Sequence, residues 1–179
     1  MKTIRILLAL LILLVGAGVW FVLSGRYDVA ADQSPSQWEE RLFSALKERS
    51  VARRAATISV PDLGSPAELR EGYEAFRVHC VTCHGAPGLP PDPMAMGLHP
   101  MPPGLDFPRV QDESDAELFW VIKNGIKHTG MPSFSMALSE DQIWSVVGFL
   151  RQLPKLDPNQ FSTFGGSPAA AEQPSAPVL

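Results

Sequence analysis

The chain has 179 residues, of which 45% are hydrophobic and 19% are charged, and its formal net charge is -4 at pH 7. This length provides room for one modest domain with appended segments. The mildly acidic balance gives no reason to expect nucleic-acid binding, which depends on clustered basic residues. The 17 prolines and 14 glycines are concentrated in 85–108 and after residue 154, where they predict loops and a tail.

The N-terminus carries a long uncharged run, Ile6 to Ser24, which follows Lys2 and Arg5. The run is longer than the apolar part of a typical secretory signal, and as a helix it can span a bilayer. We therefore predict an uncleaved signal anchor over 1–25, with its basic flank held in the cytoplasm. A cleaved signal peptide ending near Val29-Ala30-Ala31 is the alternative.

Residues 26–64 are predicted to form an amphipathic helix over 35–54 and then a linker. Pro35 suits the first helical turn. Large apolar residues recur at helical spacing, namely Trp38, Leu42, Phe43 and Leu46. Two interpretations stay open because the helix is also rich in arginine. It could be a stalk that lies near anionic lipid headgroups, or a surface helix that packs on the next domain.

Three further helices are predicted within a domain over 65–156, and each begins with a capping box. The boxes are Ser65-Pro-Ala-Glu68, Ser114-Asp-Ala-Glu117 and Ser139-Glu-Asp-Gln142. The second helix should end at Asn124-Gly125, and Pro154 should end the third. No segment has the pattern of a strand pair, so the predicted fold class is all-α. The tail over 157–179, rich in Pro, Ala, Ser and Gly, is predicted to be disordered.

The segment Cys80-Val81-Thr82-Cys83-His84 contains both cysteines of the chain. C-x-x-C-H is the attachment motif of a c-type haem. One turn of helix puts the two thiols on the same side, within reach of both haem vinyl groups, and the histidine then lies under the iron. A thioredoxin-like pair would need a βαβ context, and a zinc site would need closely spaced ligands. The other histidines, His79, His99 and His128, are scattered along the chain.

Met131 is the predicted second axial ligand of the iron. It lies in the loop Thr129-Gly130-Met131-Pro132, between the second and third helices. Gly130 allows the backbone to approach the haem closely, and Pro132 sets the chain direction beyond it. His128, another methionine or an open site are the alternatives that remain.

These motifs together resemble a membrane-anchored, mono-haem class I cytochrome c of the bacterial c-type cytochrome family. Gly72 and Phe76 stand where the family has the glycine and aromatic of its N-terminal helix. Phe149-Leu150 match the aromatic-leucine pair of its C-terminal helix. The resemblance implies a fold of three main helices around one covalent haem c, in which these two helices cross at the glycine.

The resemblance also implies roles for single residues. The run 97–103 is similar to the family loop in which a proline carbonyl accepts a hydrogen bond from the proximal histidine, a role assigned to Pro102 or Pro103. The run 123–132 is similar to the axial-methionine loop of a bacterial branch, with His128 where that branch is expected to have methionine. The apolar candidates for the haem pocket are Leu98, Leu105, Trp120, Ile122, Ile126, Phe134 and Val147.

The implied function is one-electron transfer by a haem that His84 and Met131 ligate. The expected setting is a carrier tethered to the bacterial inner membrane, with the haem domain in the periplasm and redox proteins as partners. Neither catalysis by the chain alone nor a small-molecule substrate nor nucleic acid is expected. Two alternatives remain: a fixed cytochrome c subunit of a larger dehydrogenase or oxidase, and a haem-based sensor in which Met131 leaves the iron.

Overall fold

The computed structural model describes residues 1–31 and 33–165, which form two compact units, Met1–Pro35 and a second unit that begins at Ser36. The first unit contains helix α1, Lys2–Leu23. None of its residues is buried, and the helix is long and apolar enough to cross a membrane, judged by length and composition alone. A secretory signal sequence meets the same criteria. Both interpretations of the N-terminus therefore stay open.

The second unit is helical, and within the described residues it contains no strand. Its helices are α2 (Gln37–Ala55), α3 (Pro66–His79), α4 (Val81–His84), α5 (Pro108–Gln111), α6 (Asp115–Asn124), α7 (Glu140–Leu150) and α8 (Pro158–Thr163), with short 3-10 turns at Ala95–Gly97 and Leu153–Lys155. The prediction of an all-α fold is confirmed.

The three predicted capping boxes begin α3, α6 and α7. In each box the serine side chain accepts a hydrogen bond from the amide three residues later, and the side chain at that later position bonds back to the serine amide. The helix ends agree less well with prediction. α7 ends at Leu150 rather than before Pro154, because the amide of Gln152 already bonds to the carbonyl of Phe149 at 2.8 Å in a 3-10 pattern.

The core of the second unit lies where α3 crosses α7. A Cβ atom built on Gly72 would lie 2.0 Å from the carbonyl oxygen of Ser145, so only glycine allows the two backbones to come this close. Beside this contact, the rings of Phe76 and Phe149 are fully buried, with their centroids 5.2 Å apart. This is the helix crossing that the resemblance implied.

The chain after residue 156 differs from the expected disordered tail. Asp157 caps α8, and Phe161 is only 2% exposed. The ring of Phe161 lies 5.3 Å from that of Tyr73, on the α3–α7 core. The prediction of disorder is therefore wrong for 157–163, because one buried aromatic side chain anchors a segment whose composition is otherwise typical of a tail. Residues 166–179 lie outside the described residues.

Helix α2 belongs to the same compact unit as the helices that follow it. It begins after Ser36, its N-cap, so Pro35 precedes the helix instead of lying in its first turn. α2 packs on α6, and Val51 and Ala55 are its buried apolar residues. Lys47 Nζ lies 3.4 Å from Glu113 Oε1, just before α6. The packed interpretation of this helix therefore holds for one of its faces.

Candidate haem site

Cys80 is the residue that joins α3 to α4, and Cys83 and His84 lie within α4. The carbonyl oxygen of Cys80 accepts hydrogen bonds from the amides of Cys83 at 3.1 Å and His84 at 2.9 Å. This places the three functional side chains of the motif on one helical turn. Neither cysteine forms a disulfide. Although Cys80 keeps some accessible surface, burial raises the pKa of its thiol to about 12, with Cys83 as a smaller cause, so the thiol stays protonated at neutral pH.

The ring of His84 is oriented by a backbone carbonyl 19 residues later. The Nδ1 atom of His84 lies 2.8 Å from the carbonyl oxygen of Pro103, so Pro103 is the partner among the two prolines considered. A carbonyl only accepts hydrogen bonds; Nδ1 must therefore carry the proton, which leaves the lone pair on Nε2 for a metal. Burial lowers the pKa of His84, and the bond to Pro103 opposes this shift. Burial, the larger cause, favours the neutral ring that a metal ligand requires.

The chain reverses direction directly after His84, at a residue that the sequence pattern did not predict as part of the site. Gly85 has a φ of 68°, and a Cβ atom there would lie 2.7 Å from the carbonyl oxygen of Leu89. The amide of Ala86 bonds to that same carbonyl at 2.8 Å. Glycine at this position therefore lets the loop close immediately behind the histidine. The sequence signal that could have predicted this turn is a glycine directly after the C-x-x-C-H motif.

The loop 126–131, which carries the predicted ligand Met131 and which we call the ligand loop, is held by hydrogen bonds within itself. The hydroxyl of Thr129 donates to the carbonyl of Ile126 at 2.8 Å and accepts from the amide of Met131 at 3.1 Å. The amide of Ile126 donates to the carbonyl of Met131 at 3.2 Å. Met131 is half-buried and packs against the same apolar core as Cys80. The structure thus brings the predicted ligand and the attachment motif to one core.

Besides ending α6, Gly125 allows the backbone of Met131 and Pro132 to approach it closely. It has a φ of 68°, and a Cβ atom there would lie 2.7 Å from the carbonyl oxygens of both Met131 and Pro132. The glycine therefore lets the ligand loop fold back onto the end of α6. At Gly130 the close approach is made to a side chain: a Cβ atom there would lie 2.5 Å from Leu98 Cδ1. Leu98 is one of the predicted pocket residues.

The apolar pocket candidates do not all lie on one side of α6. Ile122 and Val147 belong to the buried core, and Leu105 and Phe134 pack against it. Trp120 is different, because the guanidinium of Arg54 on α2 lies 5.9 Å from its ring. Together with Trp144, this side chain lines a groove of about 400 Å³. Trp120 thus packs toward α2, on the opposite side of α6 from Ile122, and its contact with the haem stays a prediction.

His128 faces outward from the ligand loop. Its φ of 61° lies in the left-handed region, which is uncommon for residues other than glycine. The side chain is exposed, and its ring lies 6.3 Å from that of Phe43. Since Met131 packs on the core while His128 is exposed, the loop favours the methionine as the group that reaches the site.

Comparison with known families agrees with this geometry. A family model described as "Cytochrome C oxidase, cbb3-type, subunit III" matches residues 67–150, which extend from the first turn of α3 to the last residue of α7. Residues 67–150 are a cytochrome c domain. The resemblance to the c-type cytochromes is thus confirmed, and haem-based electron transfer is the function that the cytochrome c domain implies. Comparison with the sequences of curated proteins gives no match.

Proposed function

We propose that the cytochrome c domain transfers single electrons through one haem c, bound covalently by Cys80 and Cys83 and ligated by His84 and Met131. The observation that carries this proposal is the 2.8 Å contact between His84 Nδ1 and the carbonyl of Pro103. It orients the ring and leaves Nε2 as the ligand atom. When bound, the haem supplies the one-electron couple of its iron.

The residues of the chain would hold this group rigidly and shield it. His84 is fixed by Pro103, and the backbone of Met131 is fixed by Thr129 and Ile126. A thioether favours ferrous iron, so histidine-methionine ligation raises the reduction potential. With His84 and Met131 as its ligands, the iron would have no position open for a substrate. The protein then contributes ligands, burial and a docking surface, and it performs no catalysis by itself.

The proposed setting is the bacterial inner membrane, with α1 as the anchor and the cytochrome c domain in the periplasm. The length and apolar composition of α1 support an anchor. Lys2 and Arg5 precede the apolar run and would keep the N-terminus in the cytoplasm. Redox proteins of the membrane or periplasm would be the partners of the tethered domain.

A second candidate is a fixed subunit of a larger oxidase or dehydrogenase. The family model that matches 67–150 is described as an oxidase subunit, which favours this candidate. Extraction with a mild detergent separates the two. A carrier should elute as the 19.5 kDa chain in its micelle, whereas a fixed subunit should co-elute with the rest of its complex.

Absorption spectra of the haem-loaded protein test the ligand set. We expect a low-spin c-type spectrum with the far-red band that reports sulfur bound to ferric iron, and loss of that band in Met131→Ala. Met136→Ala is the matched control, because Met136 lies five residues later and is 95% exposed; the band should survive this change. A high-spin spectrum of the unsubstituted protein, or a band that persists in Met131→Ala, would contradict the proposed ligation.

A further inference from the structure

Four large apolar side chains of α2 are exposed in a unit that otherwise buries its aromatic core. Their exposed fractions are 65% for Trp38, 48% for Leu42, 54% for Phe43 and 55% for Leu46. Trp38, Leu42 and Leu46 share one face of α2 and form the α2 stripe, whereas Phe43 lies at the edge of that face, with its ring 6.3 Å from that of His128. We propose that the α2 stripe docks on the surface of an anionic lipid bilayer. The inference rests on the membrane tethering in the proposed function, and it assigns a second contact with the same membrane.

The packing of α2 on α6 turns the α2 stripe outward. At about 100° per residue, Trp38, Leu42 and Leu46 lie on the opposite side of the helix from Val51 and Ala55. Those two residues are 5% and 4% exposed, and they hold α2 to the domain. The stripe therefore lies on the exposed face of α2, because the opposite face already packs against the domain. A membrane can cover it without any change in the packing of the domain.

Basic residues continue the α2 stripe toward the C-terminal end of the helix. Arg49 and Arg53 follow Leu46 by about one and two turns on the same face, and both are exposed. The nearest acidic residue by helical position, Glu39, is buried in a capping box with Ser36. At a membrane interface, Trp and Leu can enter the headgroup region while the long side chains of neighbouring arginines extend to the lipid phosphates. The arginines give the surface its preference for anionic headgroups.

The chain also limits how far the α2 stripe can move from a membrane that α1 spans. Residues 24–36 connect the two helices, and fully extended they cover at most about 45 Å, at roughly 3.5 Å per residue. Because this tether keeps α2 close to the lipid surface, even a weak affinity of the α2 stripe for the interface is sufficient for binding. This continuity favours lipid over a second copy of the chain or another subunit as the occupant of the stripe.

A spin label placed on α2 tests the proposal in the full-length, haem-loaded protein. Because haem attachment consumes Cys80 and Cys83, which are the two cysteines of the chain, one introduced cysteine can be labelled uniquely. Leu42→Cys puts the label in the stripe. Glu48→Cys is the matched control, since Glu48 is exposed on the same helix but outside the stripe. Both proteins are reconstituted in vesicles that contain phosphatidylglycerol and in vesicles of phosphatidylcholine alone.

Accessibility of the labels to oxygen and to a water-soluble nickel complex gives their depth. In anionic vesicles we expect the label at 42 to lie about 5–10 Å below the phosphates and the label at 48 to remain in water. Combining Arg49→Gln and Arg53→Gln should make the label at 42 shallower in anionic vesicles and should change little in phosphatidylcholine. The absorption spectrum of each variant confirms that the haem domain is intact.

Three results would overturn the inference. One is a label at 42 that is as accessible to the nickel complex as the label at 48 in both kinds of vesicle. Another is a label at 42 that is shielded from both reagents and broadened by a second nitroxide, which would indicate contact with another copy. In the third, the chain leaves the vesicles in an alkaline wash, which would disprove the tethering as well. A chain that stays with the vesicles while its label at 42 is in water would disprove the stripe alone.

Discussion

The contact between α3 and α7 and the contact between α2 and α6 show two ways in which a helix can join the same domain. At the first contact the backbones touch, since a Cβ atom on Gly72 would lie 2.0 Å from a carbonyl oxygen of the facing helix. At the second contact, Val51 and Ala55 are the buried apolar residues of α2, and Lys47 reaches Glu113 across 3.4 Å. The large apolar residues of α2 lie elsewhere.

The difference shows what an amphipathic pattern can predict. Both α2 and α3 carry apolar residues at helical spacing, and both spacings predict a helix with one face to be covered. In α3 the periodic face is covered by α7. In α2 the smaller residues Val51 and Ala55 contact the rest of the protein, whereas the α2 stripe is exposed. A pattern therefore predicts that a face needs a partner, but the identity of that partner depends on the surrounding fold.

The strongest way to test the α3–α7 core is to remove the side chain that α8 adds to it. Phe161→Ala should lower the free energy of unfolding by about 3–4 kcal/mol, because a buried phenylalanine is lost and a cavity remains. Chemical denaturation followed by haem absorbance measures the change. Phe107→Ala is the control, since Phe107 is 58% exposed and should change stability by no more than about 0.5 kcal/mol. Equal effects of both changes would show that α8 does not stabilise the core.

The glycine at the crossing is the next test. Gly72→Ala should cost about 2–3 kcal/mol, because the new methyl group meets a backbone carbonyl that cannot rotate away and the helices must separate. Gly148→Ala is the matched control on α7, where the nearest atoms to a new Cβ lie at 3.7 Å; it should be neutral or stabilise by up to about 1 kcal/mol. Unfolding midpoints of both variants give the comparison. A Gly72→Ala protein as stable as the unsubstituted one would rule out the tight crossing.

Substitutions in α2 should have the smallest effects on stability. Val51→Ala removes two buried methyl groups and should cost about 1–2 kcal/mol, whereas Leu46→Ala on the α2 stripe should change stability by no more than about 0.5 kcal/mol. Both values come from unfolding in the same detergent. If Leu46→Ala proved to be the more damaging change, α2 would have to pack through its stripe, and the comparison between the two contacts would fail.

The arrangement of Cys80, Cys83 and His84 could be predicted because these residues are close in sequence. The two thiols and His84 lie within one helical turn, so their relative placement follows from helix geometry alone. The capping boxes, which begin three of the helices, need only four consecutive residues. The same locality explains why Gly125 was predicted correctly as the end of α6.

The choices that remained open, and the wrong prediction of disorder for 157–163, involve residues far apart in the chain. Whether the carbonyl of Pro102 or that of Pro103 accepts the hydrogen bond from His84 depends on the path of a loop 19 residues away. The side of α6 on which Trp120 packs depends on the position of α2, and the order of 157–163 depends on a gap beside Tyr73 that Phe161 fills. Composition gave the wrong answer for that segment because one buried ring outweighs several polar neighbours.

The sequence by itself therefore determined the all-α class, the haem-attachment motif, the glycine at the helix crossing and the apolar pattern of α1. Each depends on spacing within a few turns, where backbone geometry leaves few alternatives. Only the tertiary structure decided that Pro103 orients His84, that Gly125 supports the ligand loop, that α8 completes the core and that the α2 stripe faces outward. These depend on which surfaces meet, and the packing of side chains from distant segments decides that.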